Sequence, residues 1–386
     1  MQGQNFSILI DKFMMANKKK FVVVLCANTS WYIYNFRRNT IKAFIREGHQ
    51  VIVVAPQDES SKFFTELGVK HFKFNLNPNC TNPFKEILVI FKLISLYLYI
   101  KPNFVMNFTP KMNVYSAIAS IVSRSKTINN ISGLGSVFVE DSVFSKFVSL
   151  LYRFAQMFSA KVFFQNNDDM EMFISRKIVP RFKCEYIPGS GVDLEWFQLT
   201  EAPDDVVVRF IIVCRMLYEK GIDRYARAAE FCREKYGDKV QFIAVGFLDK
   251  GNERALPSEV MDDWVSKGIL IYRGGLEDIR PEVALSDCIV LPSVYPEGTP
   301  RSLLEGGAMG KPIITTNMPG CRSTVENGVN GFLCGPKSTS DLVLSMEKII
   351  NMTHKRRLKM GLKSRELVER KFDEQIVIKK YLECLK

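Results

Sequence analysis

Leu291–Gly320, reading LPSVYPEGTPRSLLEGGAMGKPIITTNMPG, is the most informative part of this chain. An apolar run, Cys288-Ile289-Val290-Leu291, breaks at Pro292 into a short acidic loop. Thr299 is placed to cap a helix with Pro300 at its first position, where a missing N–H costs nothing. The helix is expected to end at Gly310, and a second strand over Lys311–Thr316 follows at once. This strand–loop–helix–strand unit carries Glu297 in its loop and Glu305 in its helix. Free N–H groups at the start of such a helix bind anions, phosphates above all. Two carboxylates beside that site cannot hold phosphate, but they accept hydrogen bonds from neutral hydroxyls. A diphosphate with hydroxyl-rich groups on both sides is a nucleotide-sugar. The plain alternative is a helix Glu favoured by the helix dipole and a loop Glu in water.

The rest of the chain repeats the same alternation. Phe21–Ala27 reads as a strand, Asn28–Arg38 as a polar and aromatic loop, and Asn39–Glu47 as a helix ending at Gly48. Strands at Val51–Ala55 and Val69–Phe74 flank a helix at Ser60–Leu67. Such βαβα order implies a parallel, doubly wound α/β sheet. Helices over Phe84–Ile100, Asn113–Arg124, Phe144–Ser159 and Asp168–Ser175 alternate with strands at Phe104–Asn107, Lys126–Asn130, Lys161–Gln165 and Cys184–Ile187. Pro188–Asp193 is rich in turn residues and reads as a hinge. A second series has strands at Val206–Cys214, Val240–Val245, Leu270–Tyr272, Cys288–Leu291, Pro312–Thr315 and Gly331–Leu333. Helices over Asp341–Asn351 and Lys355–Phe372 follow. The pattern predicts two Rossmann-like domains, 21–190 and 191–372, facing each other across a cleft, with ligands at the carboxyl ends of the strands. Residues 1–20 read as a basic extension.

Composition narrows the partners. The chain has 386 residues, 47% of them hydrophobic, enough for two cores. Nine Cys without a C-x-x-C pair indicate neither a disulfide framework nor a zinc site, and a reducing cytoplasm fits best. The net charge is +12, and all of the excess lies in residues 1–190. That half has 24 Lys+Arg against 12 Asp+Glu, whereas residues 191–386 have 29 of each. An anionic membrane surface or an anionic acceptor explains the split, and no nucleic-acid motif is present. No run reaches the roughly 18–20 apolar residues that span a bilayer. Ile87–Ile100 and Phe144–Phe164 come nearest, each either a core-facing helix or one whose apolar face enters the bilayer interface. Met1–Lys20 lacks the apolar core and cleavage site of a signal peptide.

Arg215 and Lys220, in Cys214-Arg215-Met216-Leu217-Tyr218-Glu219-Lys220-Gly221, follow the first strand of the second half. With Glu297 and Glu305 they complete a pattern. The chain from residue 21 onward resembles the retaining glycosyltransferases of family 4, which have the GT-B architecture, an E-x(7)-E signature and an R-x(4)-K-G turn. The resemblance implies that Arg215 and Lys220 contact the donor diphosphate together with Gly298, Thr299, Pro300, Arg301, Ser302 and Leu303. Glu305 then accepts ribose hydroxyls, and Glu297 orients hydroxyls of the donor sugar. Gly246 and Leu276, in strand-end loops, frame the base and ribose, although glycines after strands are also ordinary turn chemistry. The segments Asn130–Ser136 (NISGLGS, with Gly133 and Gly135), Asn28–Arg37 and Gln165–Asp169 (QNNDD) are similar to loops of bacterial polysaccharide transferases. Residues 373–386 resemble the final helix that crosses back to the first domain.

One departure stands out. Many relatives carry a His in the segment aligned with Thr109–Asn113, where this chain has Pro110. Lys111 and Asn113, with Asn28, are left as acceptor-side candidates. His49, His71 and His354 read as structural. Asp193-Leu194-Glu195 is the nearest approach to a D-x-D and lies in the hinge, so no metal or other cofactor is expected.

The resemblance implies sugar transfer from a nucleotide donor, a UDP-sugar, to a polyprenyl-diphosphate-linked or other lipid-linked saccharide. The expected setting is bacterial O-antigen or capsule assembly, in the cytoplasm and peripheral to the inner membrane. The alternatives are a nucleotide-sugar epimerase of the same architecture and a non-catalytic sugar-nucleotide or membrane-binding subunit.

Overall fold

Val22–Cys26 (β1), Gln50–Ala55 (β2) and Lys70–Lys73 (β3) begin a parallel sheet. Phe104–Asn107 (β4), Lys126–Ile131 (β5), Ser159–Phe164 (β6) and Cys184–Tyr186 (β7) complete it, in the order β3-β2-β1-β4-β5-β6-β7. The structure, a computed structural model, describes residues 19–76, 82–133, 143–249, 251–252 and 254–386. A second parallel sheet holds Val208–Val213 (β8), Val240–Val245 (β9), Ile271–Tyr272 (β10), Cys288–Leu291 (β11), Ile313–Thr316 (β12) and Gly331–Cys334 (β13). Its order is β10-β9-β8-β11-β12-β13. Central strands such as VVVLC and CIVL are apolar without alternation because helices cover both faces of a parallel sheet.

Each sheet has its own core. Phe210, Ile289, Leu303 and Ile313 centre the second. In the first, Leu25, Ile33, Phe44 and Phe108 pack with Val377, Tyr381 and Leu385, so helix Glu374–Cys384 and its end cross back to the first domain. Val192 N donates to Phe372 O (2.9 Å), and Glu374 N donates to Val192 O (3.2 Å). The two passages of chain between domains therefore lie side by side.

One expectation needs correction. The segment read as a loop over Asn28–Arg38 is mostly helix: Ser30–Arg46 is continuous, with Thr29 Oγ1 accepting from Tyr32 N (3.1 Å) as its cap. Its buried stripe is Ser30, Ile33, Arg37, Thr40, Ile41 and Phe44, and three polar residues within the stripe hid the helical period. The apolar helices face the core on one side, as one of their two readings expected, and are exposed on the other. In helix Pro83–Ile100, Leu93 and Tyr97 are buried, while Phe84, Ile87, Leu88 and Phe91 are exposed. Helix Val143–Met157 likewise buries Tyr152 and exposes Phe147, Leu150, Phe154 and Met157. Among the described residues no helix is long and apolar enough to cross a membrane. Residues 1–18 and Gly135 lie outside the described residues.

Candidate active site

The strand order of the second sheet reverses between β8 and β11, and such a switch point opens a crevice at the carboxyl ends of the strands. Arg215 and Lys220 follow β8, and Glu297 follows β11. The two loops are tied together, since Val294 N donates to Glu219 O (2.9 Å). Gly221 has φ +82°, and a Cβ there would stand 2.2 Å from Pro292 O, so only glycine permits this approach. As a result the Lys220 ammonium bonds Glu297 Oε1, with side chains only 15% and 11% exposed. Ser293 Oγ donates to the same oxygen (2.9 Å). Burial works against the Lys220 ammonium, but Glu297 outweighs it and raises its pKa above the usual lysine value. The Arg215 side chain is 59% exposed, its Nη1 3.5 Å from Asp249 Oδ2, and so it is open to an incoming anion.

The signature helix is Arg301–Ala308, packed on β11 so closely that a Cβ on Gly306 would meet Ile289 Cδ1 at 2.7 Å. Arg301, not Pro300, is its first residue, and Pro300 makes no side-chain cap. Thr299, expected to cap, turns away: its Oγ1 donates to Gln165 O (2.9 Å) in the other domain. The first-turn amides of Arg301, Ser302 and Leu303 are therefore left without a side-chain cap. Leu303 itself points into the core. Glu305 Oε1 accepts from Arg301 Nε (2.8 Å), and Arg301 Nη1 reaches Ser190 Oγ (3.2 Å). Burial pushes the Glu305 carboxyl above its usual range, with Arg301 opposing.

Gly246 has φ +146°, and a Cβ would lie 1.7 Å from Cys214 O, so this glycine joins the loops after β8 and β9. Leu276 packs partly buried against the core. Gly133, with φ +107°, stands against the Glu297 loop, where its Cβ would meet Pro296 O at 2.8 Å. The acceptor-side candidates are less collected. Lys111 Nζ pairs with Glu86 Oε1 (2.8 Å). Asn113 is buried, donating to Asn130 O (2.8 Å) and accepting from Asn130 N (3.3 Å), which clasps helix Met112–Val122 to β5. Asn28 is half-buried just past β1. His49 Nδ1 accepts from Phe21 N (3.3 Å), His71 Nε2 lies 3.0 Å from Ala55 O, and His354 faces Asp204 at 4.0 Å.

Sequence reasoning gave no role to Ser293 or Asp249, nor any specific role to Gln165, Asn166 and Asp169. Gln165 and Asn166 sit at the carboxyl end of β6 and bond the Glu297 loop from the opposite domain, and Asp169, in the helix that follows, bonds Asn166. Burial pushes the Asp169 carboxyl up to about 7, against the hydrogen bond from Asn166 and with help from Asp168. The available signal was a run of polar residues where a buried parallel strand ends.

Residues 199–367 match the family Glycosyl transferases group 1, and residues 22–166 match Glycosyl transferase 4-like. The chain is a glycosyltransferase, with a 4-like domain followed by a group 1 domain. This glycosyltransferase is 26% identical over 370 residues to the N,N'-diacetylbacillosaminyl-diphospho-undecaprenol alpha-1,3-N-acetylgalactosaminyltransferase of Campylobacter jejuni, covering 91% of this chain and 94% of that one. Over 288 residues it is 28% identical to the UDP-Gal:alpha-D-GlcNAc-diphosphoundecaprenol alpha-1,3-galactosyltransferase of Escherichia coli, covering 68% of this chain and 72% of that one. The crystal structure of Anabaena HepE in complex with UDP-glucose matches the fold with a TM-score of 0.77 at 16% identity, covering 95% of this chain and 99% of that one. The glycosyltransferase thus has the GT-B architecture, with its two Rossmann-like domains meeting at the Glu297 loop.

Proposed function

We propose that this glycosyltransferase moves a sugar from a UDP donor to a polyprenyl-diphosphate-linked saccharide in bacterial surface glycan assembly, with retention at the anomeric carbon. The observation that carries the proposal is the Lys220–Glu297 pair at the switch point, beside the uncapped start of helix Arg301–Ala308. As the glycosidic bond breaks, the departing diphosphate gains negative charge. Arg215, Lys220 and the first-turn amides meet that charge, with charge-assisted bonds worth roughly 1.5–3 kcal/mol each. Two cations and a helix N-terminus supply this stabilisation without a metal.

The sugar ring gains positive charge in the same step, and Glu297 lies beside it. Because Lys220 and Ser293 occupy Glu297 Oε1, its carboxylate is suited to orienting hydroxyls rather than to attacking carbon. Retention then follows from front-face attack: the acceptor oxygen bonds the anomeric carbon, the bond to the diphosphate oxygen breaks, and the acceptor proton passes to that leaving oxygen.

The lipid-linked acceptor is supported by the relatives, whose names specify diphosphoundecaprenol-linked substrates. Peripheral attachment to the inner membrane, from the cytoplasm, is supported by the exposed apolar residues of helices Pro83–Ile100 and Val143–Met157 in the positively charged half. The test is UDP release from UDP-glucose, UDP-galactose, UDP-N-acetylglucosamine and UDP-N-acetylgalactosamine, with and without an undecaprenyl-diphosphate-linked acceptor. One donor should stand out, and its turnover should rise with acceptor. No UDP release from any of the four would remove the proposal.

A further inference from the structure

The loop that carries Glu297 is held from both sides of the cleft. Its carboxylate is bonded by Lys220 of its own domain, and its backbone is bonded by the other domain. Asn166 Nδ2 donates to Glu297 O (3.1 Å), with Gly298 O at 3.4 Å, and to Asp169 Oδ2 (2.9 Å). Asn166 Oδ1 in turn accepts from Asp169 N (2.7 Å), capping helix Asn167–Ser175. Both ends of the Asn166 amide are therefore assigned: its oxygen faces an N–H, and its NH2 faces a carboxylate and a carbonyl. Asn166 and Asp169 are 4% and 1% exposed, so water does not compete for these bonds.

Neighbouring contacts leave the loop little freedom. Thr299 N donates to Gln165 Oε1 (3.2 Å), and Thr299 Oγ1 donates to Gln165 O (2.9 Å). A Cβ on Gly298 would stand 2.2 Å from Gln165 Oε1 and 2.8 Å from Ser132 C. Any separation of the domains must break the Asn166 and Gln165 bonds together.

We propose that Asn166, oriented by Asp169, is a positioning residue for sugar transfer that couples domain closure to the placement of Glu297. The proposal rests on the reading of Glu297 as the group facing the donor sugar. With the domains apart, the second domain retains Arg215, Lys220 and the helix start, and so retains its grip on the diphosphate. Glu297 loses its backbone anchor. The Asn166 bond therefore bears on the transfer step and not on nucleotide binding.

Asn166→Ser tests this, because serine caps a helix as well as asparagine does but is too short to reach Glu297 O. UDP affinity is read by calorimetry, and kcat by UDP release from the best of the four donors at saturation, with the undecaprenyl-diphosphate-linked acceptor present. The expected result is a kcat lower by about 10-fold or more at a UDP Kd within about twofold. In a Glu297→Gln background the same substitution should lower kcat by less than about twofold, because both changes act on one group. Asp169→Leu, similar in shape but without the oxygen that accepts from Asn166 Nδ2, should lower kcat by about threefold at unchanged Kd. An unchanged kcat in Asn166→Ser, a parallel loss of UDP affinity, or effects that multiply fully in the double variant would overturn the proposal while the Glu297 reading stands. An unchanged kcat in Glu297→Gln alone would remove that reading and this proposal with it.

Discussion

Lys220 Nζ bonds Glu297 Oε1 across the point where the strand order of the second sheet reverses. The two residues are 77 positions apart, each on a loop leaving a central strand. The bond places one positive and one negative group side by side, which suits a reaction that separates a diphosphate from a cation-like sugar.

The two signature glutamates should fail differently. Glu297 is most valuable once the sugar gains charge, so Glu297→Gln should lower kcat by about 10–1000-fold while UDP affinity stays nearly unchanged. Glu305 is read as a ribose partner, so Glu305→Gln should weaken UDP and donor binding together, by about 1–3 kcal/mol. Calorimetry with UDP and turnover at saturating donor separate the two. Equal loss of UDP binding in both variants would reverse the assignment.

Chelation should be tolerated. Excess EDTA is expected to leave turnover within about twofold, far less than the several kcal/mol that a catalytic metal supplies. Loss of turnover restored by magnesium or manganese would show that Arg215 and Lys220 do not carry the neutralisation alone.

Asp169 should imprint a pH dependence on stability. Its folded pKa, about 7, lies above the usual aspartate value of 3.8. Between these values the folded chain holds a proton that the unfolded chain has released, so stability falls as pH rises through the window and levels off above it. Asp169→Asn has no such proton. Its Tm should therefore decline less than that of the parent between about pH 5 and about pH 8. Parallel Tm curves would sink the idea.

Gly246→Ala should act on folding. An added Cβ meets Cys214 O at 1.7 Å at a backbone φ of +146°, so the loops after β8 and β9 must part. A loss of about 3 kcal/mol in denaturant unfolding is expected from the strain and clash combined. A loss below about 1 kcal/mol would mean that the backbone there shifts freely.

Membrane attachment should depend on the exposed face of helix Pro83–Ile100. Replacing Phe84, Leu88 and Phe91 by Ser removes three large apolar side chains, each worth up to about 1.5–3 kcal/mol when buried in a bilayer interface. Sedimentation with phosphatidylglycerol vesicles should fall at least about 10-fold, and parent binding should weaken as salt shortens the screening length below roughly 10 Å. Unchanged partitioning of the triple variant would point to another surface.

Much of the architecture could be read in advance, for a local reason. Short apolar runs such as VVVLC and CIVL, bounded by turn residues, read as buried strands, and the glycine turns at Gly48 and Gly310 end the helices before them. Where the reading failed, distant partners had displaced local preference. Thr299 has the chemistry of a cap, yet Gln165, 134 residues away, takes its hydroxyl.

The order of residues alone established two doubly wound sheets, the signature loop and helix, and the four charged groups around them. Apolar periodicity and turn chemistry act over a few residues, so they are visible along the chain. Folding in three dimensions then set which groups meet: Lys220 with Glu297, and Asn166 across the cleft with the backbone of Glu297. Those pairings depend on how loops from separate strands converge at a switch point and on how the two domains meet. No local pattern encodes either, because hydrogen bonds and ion pairs form at about 3 Å in space, whatever the distance in sequence.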